Sequence, residues 1–195
     1  MANKDRAILL AAQELFGRKG YAGTTMKMIA DKAGVAFGLV SHYFGTKEEL
    51  FLAAGFDMVD SVLAAVRPEL AKAENGLEAV RAFVSAYLAF TLENKATFPV
   101  LIRCSPFSDV ETLVDRRRIA AKFTELFTAI ESCLARGMED GSIRQLPVKP
   151  TALFIYSNIL GAVRTYFLTP FHLPGLFEET VEYVLRSIAA PLPLA

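Results

Sequence analysis

Apolar residues along this chain recur every three or four positions, and no stretch alternates residue by residue as a half-buried strand would. Ile8, Ala12, Leu15 and Phe16 stand at i, i+4, i+7 and i+8, which predicts a helix from about Asn3 to Lys19, closed by Gly20. Two short helices follow, Met26 to Ala33 and about Ala36 to Tyr43, separated by Gly34. Thr46-Lys47-Glu48-Glu49 has the form of a capping box, with Thr46 as N-cap and Glu49 reaching back, and opens a helix to about Val66, before Arg67-Pro68. Asn75 with Glu78 opens another, to about Lys95. Phe98 to Arg103 forms a short segment stopped by Pro106. Ser108 with Glu111 caps a long helix that carries the stripe Ile119, Phe123, Leu126, Phe127, Ile130, Leu134 and Met138 and ends near Asp140-Gly141. The last two helices, about Thr151 to Leu168 and about Leu176 to Ala189, are parted by Pro170 and Pro174-Gly175. The expected fold is all-α, with about nine helices.

The segment from Thr24 to Leu50 carries most of the functional signal. Gly34 suits a turn at positive φ, and Ala30, four residues earlier, lets a second helix approach closely. Ile29, Ala33, Val35, Val40 and Tyr43 then supply the inward apolar contacts, and Thr24 or Thr25 caps the first helix. That is a helix-turn-helix. Its second helix leaves Ala36, Phe37, Gly38, Ser41 and His42 on the outer face, from which a recognition helix reaches base edges in a major groove. Thr25, Lys27 and Lys47 complete the expected DNA-contact set, Lys47 standing beside backbone N–H groups that can bind a phosphate. His42 has two readings, a base or phosphate donor and a packing residue. Tyr43 is expected in the core with its hydroxyl at the rim, where a phosphate contact is secondary.

The runs ILLAAQELFGRKGYAGTT, IADKAGV and HYFGTKEEL resemble the N-terminal DNA-binding domain of the TetR family of transcriptional regulators, in detail over about the first fifty residues. The resemblance implies a DNA-binding domain at residues 1 to 46 and a ligand-binding and dimerisation domain at 47 to 195. It further implies a homodimeric repressor on a palindromic operator, released by a small effector, for which the aromatic residues of the C-terminal helices suggest a largely apolar ligand. Three positions depart from the family's pattern. Ala36 replaces a frequent Ser and removes a helix cap; Phe37 replaces a frequent Lys or Arg and offers an apolar edge to a thymine methyl; Ser41 replaces a frequent Tyr. The run Ser41 to Phe44 is nevertheless similar to that of the betaine repressor branch.

Net charge at first opposes a nucleic-acid partner, because 21 basic residues balance 21 acidic ones. Residues 1 to 47, however, hold seven Lys or Arg against three Asp or Glu, a surplus of +4. Lys4, Arg6, Arg18, Lys19, Lys27, Lys32 and Lys47 thus gather charge near the proposed DNA face. A polar start at Met1 to Asp5 and an amphipathic first helix give no signal-peptide pattern, and the apolar run Pro150 to Val163 is too short to span a bilayer. A cytoplasmic protein without membrane contact is expected. Cys104 and Cys133 lie far from any metal-ligand spacing and suit reduced, buried thiols.

The last two helices carry the stripes Leu153, Tyr156, Leu160, Val163, Phe167 and Phe177, Val181, Val184, Leu185, Ile188. They are expected to meet their copies in a four-helix dimer interface, the alternative being burial within one subunit. Tyr87, Phe90, Phe98, Phe107, Phe123, Phe127 and Tyr166 are candidate ligand-lining aromatics, with Arg103 and Asn158 as polar anchors if they point inward. Arg116-Arg117-Arg118 reads as a solvated helix turn or a site for an acidic head group. With only two histidines, no zinc-protease pair, no phosphate-binding glycine loop and no nucleophile elbow, no catalytic, metal or cofactor site is expected. A dimeric helical interaction module with weakened DNA binding is the alternative to the regulator; an enzyme is the more remote one.

Overall fold

A computed structural model describes residues 4–105, 115–171 and 173–191. The described residues form nine helices: α1 Lys4–Lys19, α2 Met26–Ala33, α3 Phe37–Phe44, α4 Lys47–Lys72, α5 Gly76–Glu93, α6 Pro99–Arg103, α7 Arg116–Asp140, α8 Val148–Leu168 and α9 Leu176–Ile188. An isolated antiparallel bridge between Ile143 and Ala189 accompanies them. The chain is all-α, as the period of its apolar positions dictates.

Its residues gather into two units that do not follow chain order, Met1–Ser61 with Asn94–Phe123 and Val62–Glu93 with Thr124–Ala195. The division expected at residue 46 therefore falls inside the first unit, because the start of α4 packs with α1. In that unit Ile8, Ala12 and Phe16 of α1 bury with Ile29, Val40, Leu50 and Phe51, all at 0% exposure. Phe16, Tyr21 and Phe51 form an aromatic cluster, with Phe51 edge-on to both neighbours at centroid distances of 5.0 and 5.1 Å. α6 lies against α1, where a Cβ on Gly17 would stand 3.0 Å from the Val100 nitrogen.

The second unit packs α5 with α8 and α9. Gly76 opens α5 where only hydrogen fits: a Cβ there would meet the Gly137 nitrogen at 2.0 Å. The α5 start is capped by Asn75, whose Oδ1 accepts from Glu78 N–H at 2.9 Å. The Glu78 carboxylate reaches the N–H of Glu74 rather than that of Asn75, so the capping box is displaced by one residue.

α4 does not stop before Arg67-Pro68 but continues through Pro68 to Lys72. Pro68 has no N–H to give the Ala64 carbonyl, and both residues lie on the exposed side of the helix. The cap expected from Ser108 and Glu111 lies outside the described residues. Among the described residues no helix is long and apolar enough to cross a membrane.

Candidate nucleic-acid interface

The turn between α2 and α3 forms as glycine chemistry requires. Gly34 sits at φ 67° and ψ 34°, in the left-handed region, and the N–H of Val35 closes onto the Ala30 carbonyl at 3.1 Å. The two candidate caps divide their work. Thr25 Oγ1 accepts from Met28 N–H at 3.2 Å and is the N-cap of α2. Thr24 is fully buried, its hydroxyl 2.8 Å from the Gly20 carbonyl and 3.1 Å from that of Leu15, which ties the end of α1 to the start of α2.

α3 projects from this scaffold with Val40 fully buried beneath it. Ala36 caps α3 in extended conformation with no side-chain hydrogen bond, so the hydroxyl cap is absent. Phe37, Gly38, Ser41 and His42 are exposed, and Phe37 keeps 55% of its surface accessible. This resolves the two readings of His42, which does not pack under the helix. Tyr43 corrects the expectation of a core tyrosine. It is 47% exposed and lies edge-on to His42 at 5.4 Å, because Val40 already fills the inward position one turn earlier.

Lys47 opens α4 with its Nζ 4.2 Å above the Tyr21 ring. Burial lowers its pKa, and burial followed by the Glu48 charge raises that of Tyr21. Thr46 Oγ1 accepts from Glu49 N–H at 3.1 Å, but the Glu49 carboxylate does not reach back as a capping box would. It takes the Arg118 guanidinium instead, and that hydrogen bond holds its pKa below the usual carboxylate range.

The basic surplus of the N-terminal region is only partly available to a partner. Arg6 pairs with Asp57 at 2.7 Å and Lys32 with Glu14 at 2.6 Å, whereas Lys27 is exposed on α2. Thr25, Lys27, Phe37, Gly38, Ser41, His42 and Tyr43 thus form an accessible surface on two consecutive short helices, with Ala36 at the joint.

The expected ligand residues do not converge in one place. In the second unit Tyr87 and Tyr156 are buried, their hydroxyls 3.4 Å apart, and Phe127 lies edge-on to Tyr156 at 5.1 Å. Burial raises the pKa of both phenols, that of Tyr156 to about 12. Phe90 instead faces an open groove of about 450 Å³ with Ala65 and Ala86, and Tyr166 packs on Phe177 at 5.4 Å. Asn158 is not inward: it is exposed and donates to the Phe154 carbonyl at 2.8 Å. In the first unit Phe98 and Phe123 are buried, and Arg103 keeps a buried Nε with no hydrogen-bond partner. Phe107 lies outside the described residues.

The stripes expected to pair two subunits are mostly consumed within one. Phe177, Val181, Val184, Leu185, Ile188, Tyr156, Leu160 and Val163 are buried, because α9 lays its apolar face on α5 and α8. Exposed instead are Phe154 at 68% and Tyr183 at 57%, which the stripe reasoning passes over, and Leu153, which belongs to the expected stripe. Phe154 and Tyr183 flank a groove of about 380 Å³ between α8 and α9 that also takes in Asn158 and Arg144.

Residues 8–54, which span α1, α2, α3 and the start of α4, match the family model of bacterial regulatory proteins of the tetR family. The chain belongs to the TetR family. Like its relatives, this regulator acts on transcription and is not an enzyme. It is 28% identical over 195 residues to the transcriptional repressor AcnR of Corynebacterium efficiens, with 97% of this chain and 94% of AcnR covered. It is 36% identical over 83 residues to the transcriptional activator FasR of Mycolicibacterium smegmatis, covering 43% of this chain but 38% of FasR. The regulator's fold is similar to that of AibR, solved in complex with isovaleryl coenzyme A and operator DNA, with a TM-score of 0.74 at 21% identity over 97% of this chain and all of AibR.

Proposed function

We propose that this regulator binds a palindromic operator as a homodimer in the cytoplasm, and that it represses until a small, largely apolar effector releases it. The observation that carries the DNA reading is the division of α3. Val40 is buried, whereas Phe37, Gly38, Ser41 and His42 are open to a major groove. In this reading residues 1 to 46 hold the base contacts, with Ser41 and His42 donating or accepting at base edges and Phe37 meeting a thymine methyl. Thr25, Lys27, Tyr43 and Lys47 serve phosphates. Residues 47 to 195 take the effector and the second subunit.

Exposed Leu153, Phe154 and Tyr183 support a dimer through α8 and α9, since an apolar patch of this kind on a helix pair favours association. Tyr87 and Tyr156, buried with their hydroxyls 3.4 Å apart beside half-buried Phe127, support an apolar effector that also makes a hydrogen bond. Repression is favoured by the near full-length match to AcnR, while FasR, alike over 83 residues, is an activator.

Selection of duplexes from a random library by the purified protein tests the reading. Enrichment of an inverted repeat with half-site centres about one helical turn apart, or a multiple of it, is expected. The capless Ala36 and the uncharged Phe37 favour one alternative, a helical interaction module. Enrichment of no sequence by a folded dimer would establish that alternative in place of the operator-binding repressor.

A further inference from the structure

The basic run Arg116-Arg117-Arg118 has no part in the reading face of α3, yet it lies in the same unit. It opens α7, where the Asp115 carboxylate accepts from the backbone N–H groups of Arg117 at 2.9 Å and Arg118 at 3.2 Å. Two ion pairs then fix α7 along α4. The Arg118 guanidinium holds both carboxylate oxygens of Glu49, at 2.7 and 3.1 Å, and Lys122 Nζ lies 2.6 Å from Asp60. Glu49 stands in the first turn of α4 and Asp60 about three turns on. The first of these pairs brings the N-terminus of α7 to the first turn of α4.

Side chains on a helix lean toward its N-terminus. Arg116 and Arg117, both exposed, therefore lean past the end at which Thr46 and Lys47 stand. They add two formal positive charges to the end that carries Lys47, where a phosphate contact needs positive charge.

We propose that Arg116 and Arg117 bind the DNA phosphate backbone beside the helix-turn-helix, so that α7 contributes a second electrostatic foothold on the operator. The proposal rests on the reading of α3 as the helix that meets DNA. Its signature is a sequence-independent, salt-dependent share of affinity, separate from base recognition.

The test is a fluorescence-anisotropy titration of a duplex enriched by the wild-type protein, and of its scrambled form, at salt concentrations from about 50 to 200 mM. The double variant Arg116→Gln/Arg117→Gln should weaken binding to both duplexes alike. Its plot of log affinity against log salt should flatten by about 0.9 for each phosphate that the variant no longer neutralises. Arg116→Lys/Arg117→Lys, which keeps the charges, should restore most of the slope, and circular dichroism of all variants should match wild type. An unchanged slope and affinity in the glutamine variant, with Lys47→Gln flattening the plot in the same assay, would overturn the proposal and leave the reading of α3 intact. Ser41→Ala/His42→Ala tests that reading separately, since it should lose preference for the enriched duplex and keep its salt slope. A wild-type protein that enriches no duplex would sink both.

Discussion

Replacing Gly55 by alanine sets helix propensity against packing, and the structure decides the sign. Gly55 lies within α4, where alanine is intrinsically the better helix former by about 1 kcal/mol. A Cβ at this position, however, would stand 2.4 Å from Cys104 Sγ and 2.6 Å from Cys104 Cβ. Cys104 is fully buried at the end of α6, whose Val100, Leu101 and Ile102 are buried as well. Overpacking costs about 1 to 3 kcal/mol, and an overlap that involves Cβ as well as the flexible sulfur belongs at the upper end. The net expectation for Gly55→Ala is destabilisation by about 2 kcal/mol, the upper overpacking cost less the propensity gain. Urea denaturation followed by far-ultraviolet circular dichroism measures it. Introducing Cys104→Gly into the Gly55→Ala background should recover part of the loss, with a coupling energy of about 1 kcal/mol or more. A variant more stable than wild type by about 1 kcal/mol would show that propensity acts unopposed, and would refute the close approach of α6 to α4.

Three further expectations follow from the geometry. Burial pushes the thiols of Cys104 and Cys133 up to about 12 and about 11, so iodoacetamide at pH 8 should modify neither in the native protein and both in urea; rapid native labelling would contradict the burial. Because these folded-state values are raised, their contribution to stability is complete below the ordinary thiol range and declines as pH climbs toward 11 and 12. Phe154→Glu with Tyr183→Glu should convert a micromolar dimer into a folded monomer by sedimentation equilibrium, since both side chains are exposed in one subunit; a dimer that survives the pair would move the interface elsewhere. At the thymine that Phe37 contacts, deoxyuridine should weaken wild-type binding about fourfold, the worth of one apolar carbon, and leave Phe37→Ala indifferent. Equal sensitivity in both proteins would take Phe37 off the thymine.

Features set within one turn of chain are legible in the sequence. Gly34 at positive φ, the cap at Thr46 and the bounds of α2 depend on residues a few positions apart, and they stand where the pattern puts them. Features that depend on partners distant in the chain are not. An apolar stripe reports that a face is covered but not by what, so the pattern matches α9 to a second copy although α5 and α8 already cover it. The helical spacing of Tyr43 from Val40 points to the core, yet a helix of eight residues has room for little more than one inward anchor per turn. Glu49 fits its own helix cap by spacing, and nothing local reveals that Arg118, 69 residues away, claims it. Helix existence is likewise clearer than helix length at Pro68, which α4 passes through on its exposed side.

The central claim is that the exposed face of α3 reads base edges. It is tested most directly by comparing the wild-type protein with Ser41→Ala/His42→Ala on the enriched duplex and its scrambled form at one salt concentration. Each base contact carries about 1 to 3 kcal/mol of discrimination, so the variant should lose at least about tenfold in affinity for the enriched duplex and almost nothing for the scrambled one. A folded variant that binds both duplexes as the wild-type protein does would contradict the assignment of α3 as the recognition helix.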